Sequence, residues 1–139
     1  MGSKNRRRRG PMAMMVLVLA FIAPVVLRGE TSRHLPEVEE HRGRNNLLII
    51  LATNRNDDRV FDVHLDLSVR WDAVVRRRIH PVDILPGRRN VDAVARMLGV
   101  DGESFALVLF NRSGEIIYRS TDPGAVTEMF VRLDLQEEP

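Results

Sequence analysis

Two short stretches of the chain are apolar at every position: LLIILA over residues 47–52 and FALVLF over residues 105–110. Each is too short for an ordinary helix and lacks the alternation of a half-exposed strand, so both predict strands covered on both faces. After the second run, Asn111, Arg112, Ser113 and Gly114 supply turn chemistry, with Gly114 suited to the positive φ that closes a short bulged hairpin. EIIYR over 115–119 then returns as an antiparallel strand. Asn111-Arg112-Ser113 also matches the N-glycosylation pattern, and is read here as a turn.

Residues 60–71 carry two periods at once. Phe61, Val63, Leu65, Leu67, Val69 and Trp71 alternate with polar residues, as in an exposed strand. Val60, Val63, Leu67, Trp71 and Val74 also fall on one helical stripe, which makes Trp71 a core anchor and leaves the following arginines at a helix C-terminus. Topology decides for the helix, because a parallel connection to the next strand needs a crossover of about a dozen residues or more.

IHPVDIL over 79–85 is that next strand, with Pro81 near its start and Pro86-Gly87 ending it. Asn90 caps a short helix whose apolar face is Val91, Val94, Ala95 and Leu98 and whose stop is Gly99. Asp122 and Pro123 open a last helix in which Val126, Met129, Phe130 and Leu133 share one face. The order is a βαβ unit, then a helix, a β-hairpin and a helix, giving an α/β fold with a mixed four-stranded sheet.

A length of 139 residues suits one domain, and the formal charge of +2 conceals an uneven distribution. Of the 21 basic residues, Lys4, Arg6, Arg7, Arg8, Arg9 and Arg28 precede position 29, where no acid occurs, so the rest of the chain is net acidic. That cationic start leads into MAMMVLVLAFIAPVVL over 12–27, and residues 1–29 read as a signal peptide or an N-terminal membrane anchor. Gly29 suits the last residue removed, although Leu27 is larger than a cleavage site prefers. The chain is therefore expected to be exported, periplasmic or secreted, with inner-membrane anchoring as the alternative. Membrane contact is expected only through that apolar segment. A basic cluster directly before an apolar run is explained by membrane orientation, so no nucleic-acid partner is expected. Residues 30–45 read as a polar linker, 46–135 as the domain and 136–139 as an acidic tail.

The chain has no cysteine, which excludes disulfides and any thiol active site within it. His34, His41, His64 and His80 have no metal-ligand spacing, so neither a metal nor a cofactor is expected. His80, beside a strand start, reads as a solvated or partly buried structural histidine. Arg76, Arg77, Arg78, Arg88 and Arg89 flank opposite ends of one strand and Arg112 lies at the hairpin tip, which favours solvated arginines over one anion site. Asp57 and Asp58 suit helix capping better than acid–base work. Ser104 and Ser113 lack a nucleophile elbow, and there is no glycine-rich phosphate loop.

The element order, with LGVDGESFALVLFNRSGEIIYRS over 98–120, resembles the thioredoxin-like fold across about residues 46–133. The leader, LLIILATNRNDD and GVDGESFALVLFNRSGEI resemble more closely an uncharacterised exported domain-of-unknown-function family, also found in animal coiled-coil-domain and sushi-repeat extracellular proteins. The resemblance implies a thioredoxin-like or peroxiredoxin-like domain. A thioredoxin carries Cys-x-x-Cys in the loop that is 53–59 here, and a cis-proline where this chain has Ser104-Phe105. Both are missing, so no redox activity carries over and no catalytic residue is assigned. What remains is a non-catalytic binding or structural module with a protein or peptide partner, and a ligand-contact loop of Asp57, Asp58, Arg59 and Ser104. The alternative is an enzyme of non-thiol chemistry, a hydrolase or peroxide-handling relative, with a relocated site.

Overall fold

The computed structural model of the chain describes residues 35–137. In order, the elements are α1 (Pro36–His41), β1 (Asn46–Ala52), α2 (Asp58–Val69), α3 (Trp71–Arg76), β2 (Ile79–Ile84), α4 (Val91–Met97), β3 (Phe105–Phe110), β4 (Ile116–Ser120) and α5 (Val126–Glu137). The strands form one four-stranded sheet in the order β2-β1-β3-β4. The β1–β2 pair is parallel, and β1–β3 and β3–β4 are antiparallel. The two all-apolar runs occupy the centre and are buried at every position. Pro81 lies in β2, at an edge, where a missing backbone donor is tolerated.

Alternate residues of the central strands feed two cores. Leu48, Ile50, Leu107 and Leu109 meet Val60, Val63 and Leu67 of α2, Val74 of α3 and Met129 and Leu133 of α5. On the other side, Leu47, Ile49, Ala106 and Val108 meet α4 through Val91, Val94 and Ala95, together with Leu35 and Val38 at α1.

The ambiguous segment is helical, but not as one rod. Arg70 takes φ −106° and ψ 28°, ending α2 and restarting the chain as α3. Val74 reaches the core, as its place on the stripe predicts, but the break turns Trp71, expected as an anchor, outward, where it stands 54% exposed. The hairpin closes as its residues dictate. Asn111 Oδ1 accepts from the Ser113 and Glu115 amides, Gly114 takes φ +81°, and the ladder shifts between Leu109 and Phe110. Asn90 caps α4 by accepting from the Ala93 amide. The last helix starts at Val126, later than its Asp-Pro signal, because Asp122 accepts from the Gly124 amide and caps a preceding turn.

Two boundaries differ from expectation. The segment read as a polar linker contributes, in its described part, α1 with Leu35 and Val38 buried beside β1. Gln136 and Glu137, assigned to an acidic tail, lie in α5. The leader over 1–29, with its signal-peptide or anchor reading, lies outside the described residues. Among the described residues, no helix is long and apolar enough to cross a membrane.

Asn46 fixes the start of β1. Its side-chain amide donates to the Arg77 carbonyl at 2.7 Å and its backbone N–H to the Arg78 carbonyl at 2.8 Å, holding Arg78 at φ +52°. Removing the side chain in Asn46→Ala strands a carbonyl in a tight turn, and a loss of about 1–3 kcal/mol is expected in urea unfolding.

Candidate functional site

The sheet brings the loop after β1 against the residue that precedes β3. Asp57, at the end of the loop that follows β1, is extended, φ −67° and ψ 117°, and caps α2 by accepting from the Arg59 amide at 2.9 Å. The Arg59 side chain turns back onto the same carboxylate. Its Nε donates to Oδ1 at 2.9 Å and its Nη2 to Oδ2 at 2.7 Å, a bidentate pair. Nη2 also donates to Ser104 Oγ at 2.9 Å, and the guanidinium carbon sits 5.0 Å from the Phe105 ring centroid. The Thr53 amide donates to the Ser104 carbonyl at 3.0 Å. Among the described residues no peptide bond is cis.

Three of the four anticipated residues, Asp57, Arg59 and Ser104, thus share one network. Asp58 does not join it; it begins α2 and lines a neighbouring groove. The Arg59 guanidinium, donating to Asp57, holds that carboxyl below the usual aspartate range, against the opposing effect of burial. Reciprocally, Asp57 raises Arg59. A carboxyl whose pKa is depressed on folding stabilises above its unfolded value, near 3.8, and loses that contribution as pH falls through the folded value. Asp57→Asn keeps a capping oxygen but loses the ion pair with half-exposed Arg59, and is therefore expected to lower stability at neutral pH by no more than about 1 kcal/mol and to flatten its decline below about pH 4. Urea midpoints followed across that range test both. Some slope will persist, because Arg77 holds Asp134 low in the same way.

Grooves open on either side of the network. One of about 390 Å³ is lined by Thr53, Asp92, Ala95, Arg96 and residues 101–104. Another, of about 580 Å³, is lined by residues 55–58, Val60, Phe61 and His64. His64 Nε2 lies 2.7 and 2.9 Å from the two carboxylate oxygens of Asp83. Sequence reading missed this pair because the partners are 19 residues apart and meet only when the crossover places α2 beside β2. It equally missed the stacking of His41 and His80, whose ring centroids are 4.2 Å apart. Among the described residues, no group of three or more His, Cys, Asp or Glu is arranged to hold a metal ion.

The arginines expected to be solvated divide. Arg77 makes a two-armed pair with Asp134, both contacts at 2.9 Å, and lies over Phe130. Arg89 pairs with Glu37, and Arg112 lies 3.7 Å from Glu137. Their partners come from α1 and α5, far along the chain, so no local pattern announces them. The two ends of β2 remain separate, as the spacing required.

No protein-family model and no curated protein matches the chain. A solved structure to which it is similar is that of reduced 2-Cys peroxiredoxin from Plasmodium vivax. The two share 13% identity and a TM-score of 0.51, over 71% of this chain and 81% of that one. At such low identity the likeness speaks to the fold alone. The chain has a thioredoxin-like α/β fold, built on a mixed four-stranded sheet.

Proposed function

We propose that this chain is an exported, non-catalytic thioredoxin-like domain that binds a protein or peptide partner in the cell envelope or extracellular space. It would belong to the uncharacterised exported family whose domain also occurs in animal coiled-coil-domain and sushi-repeat proteins. One observation carries the reading: the loop after β1, which holds sulfur in a thioredoxin, is cysteine-free and tied through Asp57, Arg59 and Ser104. An arginine locked by a bidentate carboxylate is a positioned structural group that holds its proton, and the Ser104 hydroxyl beside it accepts from that guanidinium and has no base among its hydrogen-bond partners. The adjoining groove sets Asp92, Asp101 and Glu103 against one arginine, Arg96, which suits a basic segment of a partner.

The test is capture from envelope extract or culture medium with the immobilised chain. A specific partner is expected, with recovery falling when Asp92, Asp101 and Glu103 are replaced by Asn, Asn and Gln. Recovery of nothing specific would count against the reading. The His64–Asp83 pair motivates a second reading, an enzyme of non-thiol chemistry, since a carboxylate orients an imidazole at the edge of a groove. Hydrolase or peroxide turnover that vanishes in His64→Ala would favour that reading instead.

A further inference from the structure

A groove of about 510 Å³ opens beyond the carboxyl ends of the two parallel strands, β1 and β2, and its volume falls within the roughly 300–1,000 Å³ of ligand pockets. Part of its lining is apolar: buried Ile84 with half-buried Leu85 and Pro86. Three arginines line it as well. Arg88 and Arg89 follow β2, and Arg55 reaches them from the loop after β1, with its Nη1 packed over Gly87, 3.6 Å from where a Cβ on that residue would stand. Crevices at this end of parallel strands are where open α/β sheets hold their ligands.

The charges of this groove differ in what already holds them. Glu37 is paired with Arg89 and its second oxygen is buried, while both oxygens of Asp83 lie against His64 Nε2. Arg55 and Arg88 are exposed, and neither has a hydrogen-bond or ion-pair partner among the described residues. Two guanidinium groups free to turn onto one guest suit an oxyanion, which each can meet with parallel N–H donors. Three arginines stand against the two carboxylates Glu37 and Asp83, so a singly charged carboxylate fits this lining better than a phosphate dianion. Beyond Arg55 the neighbouring hollow carries exposed Asp58, which confines an anion to the side of Arg88. We propose that this groove binds an α-carboxylate borne by an apolar residue, at the end of a peptide chain or on a free amino acid. Arg55 and Arg88 hold the carboxylate, and Leu85 and Pro86 receive the apolar side chain. The site is separate from the acidic groove of Asp92, Asp101 and Glu103, and stands whether or not a partner docks there.

Calorimetric titration of the full chain tests this with three probes: N-acetyl-alanyl-leucine as a chain end, leucine as a free amino acid, and N-acetyl-alanyl-leucinamide as the matched compound without a carboxylate. At least one of the two acids is expected to bind at least about tenfold more tightly than the amide, as charge-assisted hydrogen bonds to one carboxylate allow. The tighter of the two acids identifies the source, chain end or free amino acid. Arg55→Gln and Arg88→Gln are each expected to weaken that acid at least about threefold, and together to erase its advantage over the amide. Arg112→Gln, at the hairpin tip, is expected to leave it unchanged. Circular dichroism checks the fold of each variant, and should Arg55→Gln unfold, Arg88→Gln alone carries the test. Equal affinity for acids and amide, binding indifferent to the substitutions, or displacement of the bound acid by an equal concentration of inorganic phosphate would overturn the proposal.

Discussion

Ile50→Ala is expected to lower the unfolding free energy by about 2–5 kcal/mol. Ile50 lies at the middle of β1, opposite Asp83 of β2 and Leu107 of β3, and its side chain is fully buried beneath α2, α3 and α5. A strand held on both sides cannot shift to fill the vacated space, so the loss combines transfer of the deleted methylenes with the cavity left behind. Set against the total of about 5–15 kcal/mol typical of single domains, this is a large fraction. The urea midpoint should fall with the slope unchanged, while exposed Leu135→Ala shifts it by no more than about 0.5 kcal/mol. A drop below about 1 kcal/mol for Ile50→Ala would mean that this face is not packed as described.

Replacing both Leu35 and Val38 by Ala is expected to cost about 3–5 kcal/mol. The two side chains sit against the face formed by Leu47, Ile49, Val108 and Phe110, and α1 is further tied by the Gly43 amide donating to the Arg112 carbonyl at 2.7 Å. For a mere spacer the double substitution would change stability by less than about 0.5 kcal/mol, so one unfolding curve separates the two descriptions. A chain starting at residue 46 is expected to lose cooperative unfolding for the same reason.

The parts of the fold that could be read from sequence are those where neighbouring residues carry the signal. LLIILA and FALVLF are unbroken because their strands are covered twice, and Asn90, Gly99 and Gly114 are each required by the backbone at their own position. A cap at Asp57 or its neighbours was legible, and Arg59 and Ser104 could be grouped with it in one loop region, because one follows the cap and the other precedes a recognisable strand; that Asp57 and not Asp58 is the cap required the structure. Legibility ends where a feature depends on distant partners. The short α1 shows only two apolar positions three apart, too few for a period, and the break at Arg70 rotates Trp71 outward without a Gly or Pro to announce it. The His64–Asp83 and Arg77–Asp134 contacts exist only once helices are laid on the sheet.

The margins of the sheet have a consequence for how copies of this chain can meet. One margin, β2, contains a proline and so lacks a donor for a further rung; the other, β4, has only five residues and carries Arg119, whose side chain is anchored on the Leu98 carbonyl. Neither offers a long, regular template for templated growth into fibrils. Edge-to-edge pairing is thereby disfavoured at both margins, a useful safeguard for a chain with so much aliphatic content.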